Sequence, residues 1–187
     1  VGHNYVQEGQ AMAAALGKQV KWHMIGHLQK NKARPALSTF DMLQTLDSIK
    51  LARIIQQYCQ QLSITYPVLI EINSAEEPQK NGVLPGDVDA FLDQIAAFDR
   101  ISVEGLLSMG PLVENPEEIR PYFQITRRIF DRLASSASPN LHMKYLSMGM
   151  SSSYRAAIQE GANMIRIGTV LFGERNRPVP TSRSPVL

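Results

Sequence analysis

LSMGMSSSYRAAIQEGANMIRIGTVLFG, from Leu146 to Gly173, reads as strand, Ser/Gly-rich turn, short helix, strand and a second turn of small residues. Each strand ends in residues that expose backbone: Ser147, Gly149, Ser151 and Ser152 at the first, Gly168 and Thr169 at the second. Their hydroxyls and peptide N–H groups would surround one anion-sized space, which is how proteins hold a phosphate. In an eight-stranded α/β barrel, such a site is commonly built after the last two strands. Arg166 and Gly168 lie two apart on the second strand, so both would face the barrel interior.

Outward from this stretch, strand and helix alternate along the chain. YPVLIEIN (Tyr66 to Asn73) is apolar and β-branched, as a buried parallel strand requires. Further strands are expected at Val20 to Gly26, Phe40 to Leu46, Ile101 to Met109, His142 to Gly149 and Asn163 to Gly168. Helices are expected at Tyr5 to Leu16, Ile49 to Leu62, Asp87 to Phe98, Glu117 to Arg132 and Ser153 to Glu160. Asp47 and Ser48 would cap the second of these, and Pro121 sits in the first turn of the fourth. The basic stretch from Leu28 is expected to lose helicity near Arg34, ahead of Pro35.

That makes six strands, and a seventh if Gly2 to Tyr5 is the tail of one. The pattern predicts a parallel (β/α)8 barrel whose first strand–helix unit is missing from this sequence. A Rossmann sheet fits less well, since no G-x-G-x-x-G follows a strand. One domain is expected over residues 1–175, followed by a Pro-rich, disordered tail at 176–187.

Composition narrows the function classes. With 187 residues, 44% of them hydrophobic, the chain can bury one sizeable core. Nineteen basic against seventeen acidic residues leave a formal charge of +2, too little to point to nucleic acid or an anionic membrane. No apolar run approaches the roughly 18 residues that span a bilayer. The single cysteine, Cys59, falls at helical spacing with Ile55 and Leu62, which reads as a core position, and it fits a reducing, cytoplasmic compartment.

Five blocks then become recognisable together: GHNYVQE at Gly2, WHMIGHLQKNK at Trp22, LIEINSAEEPQKNGV at Leu69, EGLLSMG at Glu104 and LSMGMSSSYRAAIQEGANMIRIGTVLFGER at Leu146. In this order and spacing the chain resembles the pyridoxal phosphate homeostasis protein family, relatives of the barrel domain of alanine racemase. The resemblance implies a barrel that binds pyridoxal 5′-phosphate at the C-terminal ends of its strands and acts in vitamin B6 balance without a known catalytic reaction. It implies a phosphate cup of Ser147, Ser151, Gly168 and Thr169, Arg166 facing the pyridine nitrogen, and Asn4 near the ring, with His23 and Met109 lining the strand ends. A monomer is implied, with pyridoxal phosphate-dependent apoenzymes as protein partners. No catalytic residue and no metal ligand is assigned.

Two departures stand out. The family's Schiff-base lysine belongs to the first barrel strand and has no counterpart here. Lys80 is the one lysine expected on the cofactor side, as a secondary anchor. Where the family more often has glutamate before the Asn, this chain has His3. An amino-acid racemase-like enzyme is the alternative function. For Met109 the competing reading is core filler, and for Lys30, Lys32 and Arg34 it is a solvated basic face.

Overall fold

In the computed structural model, which describes residues 1–136 and 138–173, seven strands form one sheet in sequential order, every neighbouring pair parallel. They are β1 (Gly2–His3), β2 (His23–Met24), β3 (Met42–Leu46), β4 (Tyr66–Ile72), β5 (Ile101–Ser108), β6 (Leu141–Met150) and β7 (Met164–Arg166). Between them run α1 (Val6–Leu16), α2 (Ala33–Thr39), α3 (Ile49–Leu62), α4 (Val88–Ile95), α5 (Arg120–Ala134) and α6 (Tyr154–Gln159), and α7 (Thr169–Phe172) follows β7. A twisted sheet with sequential parallel order curls on itself. Here Gln44 of β3 reaches Met164 of β7, Nε2 to Sδ 3.1 Å, directly across the interior. The sheet is therefore a nearly closed barrel with helices outside.

Strand alternation sorts the side chains into two layers. Val68, Ile70 and Ile72 of β4 point outward into the large core shared with the helices, whereas Leu69 meets Met42 and Leu107 inside the barrel. The helices answer with apolar stripes: Phe123, Thr126, Ile129 and Leu133 form the buried face of α5. Phe123 is fully buried and contributes about 2 kcal/mol by area alone. Ser48 caps α3, its Oγ accepting from the Leu51 N–H at 3.4 Å. Gly105 sits at a kink in β5 with φ of +149°, against Tyr145 of β6.

Several boundaries differ from expectation for identifiable reasons. Of Val20 to Gly26 only His23–Met24 is strand, because the Trp22 N–H is taken by the Asp41 carboxylate at 2.8 Å. Pro35 does not end a helix. It lies in the first turn of α2, where its missing N–H costs nothing. Thr169–Phe172 is a short helix where a turn was expected. The tail expected at 176–187 lies outside the described residues, as do residues 174 and 175.

Cys59 is completely buried on α3, and burial pushes its thiol up to about 11. Iodoacetamide at pH 8 should leave it unmodified in the native protein and label it on unfolding. Rapid labelling of the native protein would contradict this packing.

Candidate functional site

The site is built at the C-terminal ends of the strands and has two parts, a rim at β6 and β7 and a cavity at β1 to β5. At the rim, Gly149 turns the chain with φ of +87°, and a Cβ there would lie 2.5 Å from that of Ala157. Ser151 follows, and its Oγ accepts from the Gly168 N–H at 3.4 Å, which joins the two small-residue turns. β7 ends at Arg166, so strand alternation does not extend to Gly168, which is exposed with Thr169 rather than turned inward. Open space surrounds the position where a Gly168 Cβ would stand.

Ser147 differs from its expected place in the cup. It is 0% exposed, inside the barrel beneath the rim. Its hydroxyl donates to Gln44 Oε1 at 2.8 Å and accepts from Arg166 Nη1 at 2.8 Å. Arg166 also donates from Nη1 to the Ser147 carbonyl and from Nη2 to the Ser108 carbonyl, each at 2.9 Å, and to Met109 Sδ at 3.2 Å. The guanidinium thus ties β5, β6 and β7 together through neutral acceptors. Among the described residues no carboxylate pairs with it. Burial pulls its pKa down to about 10, with Glu71 opposing, so it stays cationic at neutral pH. Gln44 continues the chain, its Nε2 donating to His23 Nδ1 at 2.8 Å. Burial lowers the pKa of His23 and keeps the ring neutral at pH 7.

The cavity, about 570 Å3, is lined by Asn4, His27, Lys32, Glu71, Lys80 and Met109 among others, and by none of Ser147, Ser151, Arg166, Gly168 or Thr169. Met109 is the hinge between the parts, since it lines the cavity and touches Arg166. Lys80 does stand on this side of the barrel, but its ammonium is held by Glu77 Oε1 at 2.5 Å and the Gly110 carbonyl at 2.8 Å. Asn73 organises that loop: its Nδ2 donates to the Glu77 carbonyl and its Oδ1 accepts from the Glu77 N–H.

Three residues of the interior escaped the sequence reading. Ser108 is fully buried beside Arg166. Gln44 stands beside Thr45 in a strand otherwise apolar, and Glu71 is the one charged residue of its strand; both occupy positions that face inward. That contrast is the signal that marks them. Burial, reinforced by the Asp47 carboxylate, pushes the Glu71 carboxyl up to about 7.

Comparison with known proteins agrees with this architecture. The family model "Alanine racemase, N-terminal domain" matches residues 1–176. A protein of Aquifex aeolicus named pyridoxal phosphate homeostasis protein is 39% identical over 175 residues, covering 93% of this chain and 76% of that protein. One of the same name from Helicobacter pylori is 36% identical, over 92% of this chain and 76% of its own length. Among solved structures, PipY of Synechococcus elongatus PCC7942 with PLP bound is 34% identical and superposes with a TM-score of 0.81, over 92% of this chain and 80% of that one. A sequential parallel barrel, a cationic interior beneath a small-residue rim and these identities lead to one assignment: the chain belongs to the pyridoxal phosphate homeostasis protein family, within the alanine racemase N-terminal domain family.

Proposed function

We propose that this chain holds pyridoxal 5′-phosphate and serves vitamin B6 balance in the cytoplasm as a non-catalytic carrier, with pyridoxal phosphate-dependent apoenzymes as recipients. The observation that carries this reading is Arg166, a partly buried guanidinium held, among the described residues, by neutral acceptors alone, beneath a rim of Ser151, Gly168 and Thr169. The donor set fits two ends of the cofactor. The Gly168 cradle is open, and the hydroxyls of Ser151 and Thr169 beside it suit a phosphate. Arg166 only donates, so it suits an unprotonated ring nitrogen. Of its contacts, the Met109 thioether is the weakest acceptor and the one a ring nitrogen would replace.

Pyridoxal phosphate, when bound, supplies an electrophilic aldehyde and a ring that can draw electrons from an attached carbon. A cation that keeps the ring nitrogen unprotonated weakens that second property, which favours holding over turnover. The name borne by the relatives supports the same choice over an amino-acid racemase.

The test is direct. Protein equilibrated with pyridoxal phosphate and freed of excess should retain it, seen as visible absorbance. Arg166→Ala should weaken retention about tenfold or more and shift the spectrum. Ser151→Ala should weaken retention less. Borohydride reduction and peptide mass then show whether Lys80 is linked. No retention by the unsubstituted protein would overturn the proposal, and inversion of L-alanine would replace it with the racemase reading.

A further inference from the structure

Among the described residues that line the cavity, Glu71 alone keeps a buried side-chain polar atom without a hydrogen-bond partner: its Oε2, in a residue only 8% exposed. None of the cations on the lining supplies the missing donor. Lys80 is committed to Glu77 and the Gly110 carbonyl, His27 meets Asp47 at 2.9 Å, and Lys32 forms no ion pair with Glu71. The Asp47 carboxylate opposes the charge of Glu71, and Arg166, which favours it electrostatically, gives its hydrogen bonds to neutral acceptors. A buried carboxyl oxygen left without a donor is costly, and in a native protein it commonly marks the place of a ligand or other partner. What this position lacks is a hydrogen-bond donor that carries positive charge.

Pyridoxal 5′-phosphate has two close chemical relatives with the same ring, 3-hydroxyl and phosphate. The three differ only at the 4-carbon, which bears an aldehyde, a hydroxymethyl or an aminomethyl group. The aldehyde oxygen only accepts, the hydroxymethyl group can donate once, and the aminomethyl group is an ammonium at neutral pH with three donors. The 4-carbon lies para to the ring nitrogen. With that nitrogen at Arg166 and the phosphate at the rim, the reading proposed above and on which this inference rests, the 4-substituent is directed away from Arg166. Met109 both touches Arg166 and lines the cavity, so the wall that carries Glu71 lies beyond it.

We propose that Glu71 selects among these three forms, and that the chain binds the amine, pyridoxamine 5′-phosphate, more tightly than the aldehyde or the alcohol, with the aminomethyl ammonium donating to Glu71 Oε2. An amine cargo also suits a carrier, because unlike the aldehyde it does not condense with the amino groups it meets.

Calorimetric titration of the full chain with the three phosphorylated forms at pH 8 tests this. The amine should bind about tenfold or more tightly than either of the others. Glu71→Gln should remove most of that advantage, whereas Arg166→Ala should weaken all three forms together; urea midpoints confirm that each variant is folded. Equal affinities, tighter binding of the aldehyde, or an amine preference that survives in Glu71→Gln would overturn the proposal. If Arg166→Ala still weakens retention in any of those cases, the cofactor reading stands without it. No binding of any form would defeat both.

Discussion

Gly105→Ala is expected to unfold the barrel or leave it severely destabilised. A Cβ at this position would lie 1.8 Å from the Tyr145 carbonyl oxygen, and the obstruction is backbone that no rotamer change can move. The residue also has φ of +149°, a conformation that a side chain disfavours. Strain and overpacking together should cost on the order of 4 kcal/mol or more, a large part of the stability of an ordinary domain. Urea unfolding followed by circular dichroism checks this, with Gly86→Ala as control, since nothing lies within 4 Å of a Cβ there. A Gly105→Ala protein with an unchanged midpoint would refute the β5–β6 register described above.

Glu71→Gln should have the opposite sign and depend on pH. Unfolded, the carboxyl releases its proton near 4.5; folded, burial beside Asp47 delays this to about 7. Between those values the native state binds a proton that the unfolded state has released, so native stability falls as pH rises. The penalty is absent below about 4.5 and complete above about 7, where it amounts to about 3 kcal/mol. Glutamine keeps the shape and removes the titration. The variant should therefore match the parent at pH 4 and exceed it by about that amount at pH 8. Urea midpoints that respond to pH identically in the two proteins would show that Glu71 is not held in this environment.

The fold was legible because its elements are local. Tyr66–Ile72 is apolar enough to be a buried strand by itself, and α3 carries its own cap in Ser48. β2 was less legible because its extent depends on Asp41, which approaches Trp22 only after folding. At the site, the joining of Ser151 to Gly168 could be read from two small-residue turns ending adjacent strands. The burial of Ser147 was not anticipated: it shares an inward face with Arg166, and facing inward at that depth means burial rather than a place on the rim. Glu71 could be located by its inward position, but its lack of a donor and the cavity it lines depend on which strands face one another across the barrel. That distance information has no local trace in sequence.

The contacts from Arg166 through Ser147 and Gln44 to His23 also have a direction. A guanidinium can only donate, so the Ser147 hydroxyl must accept from it and spend its own hydrogen on the Gln44 carbonyl oxygen. The Gln44 amide is thereby oriented with its NH2 toward His23, and Nδ1 of that ring must accept. The neutral imidazole is left with its proton on Nε2. A charge on the seventh strand thus selects a tautomer on the second, and nitrogen-15 shifts of His23 become a remote report on whether Arg166 keeps its place.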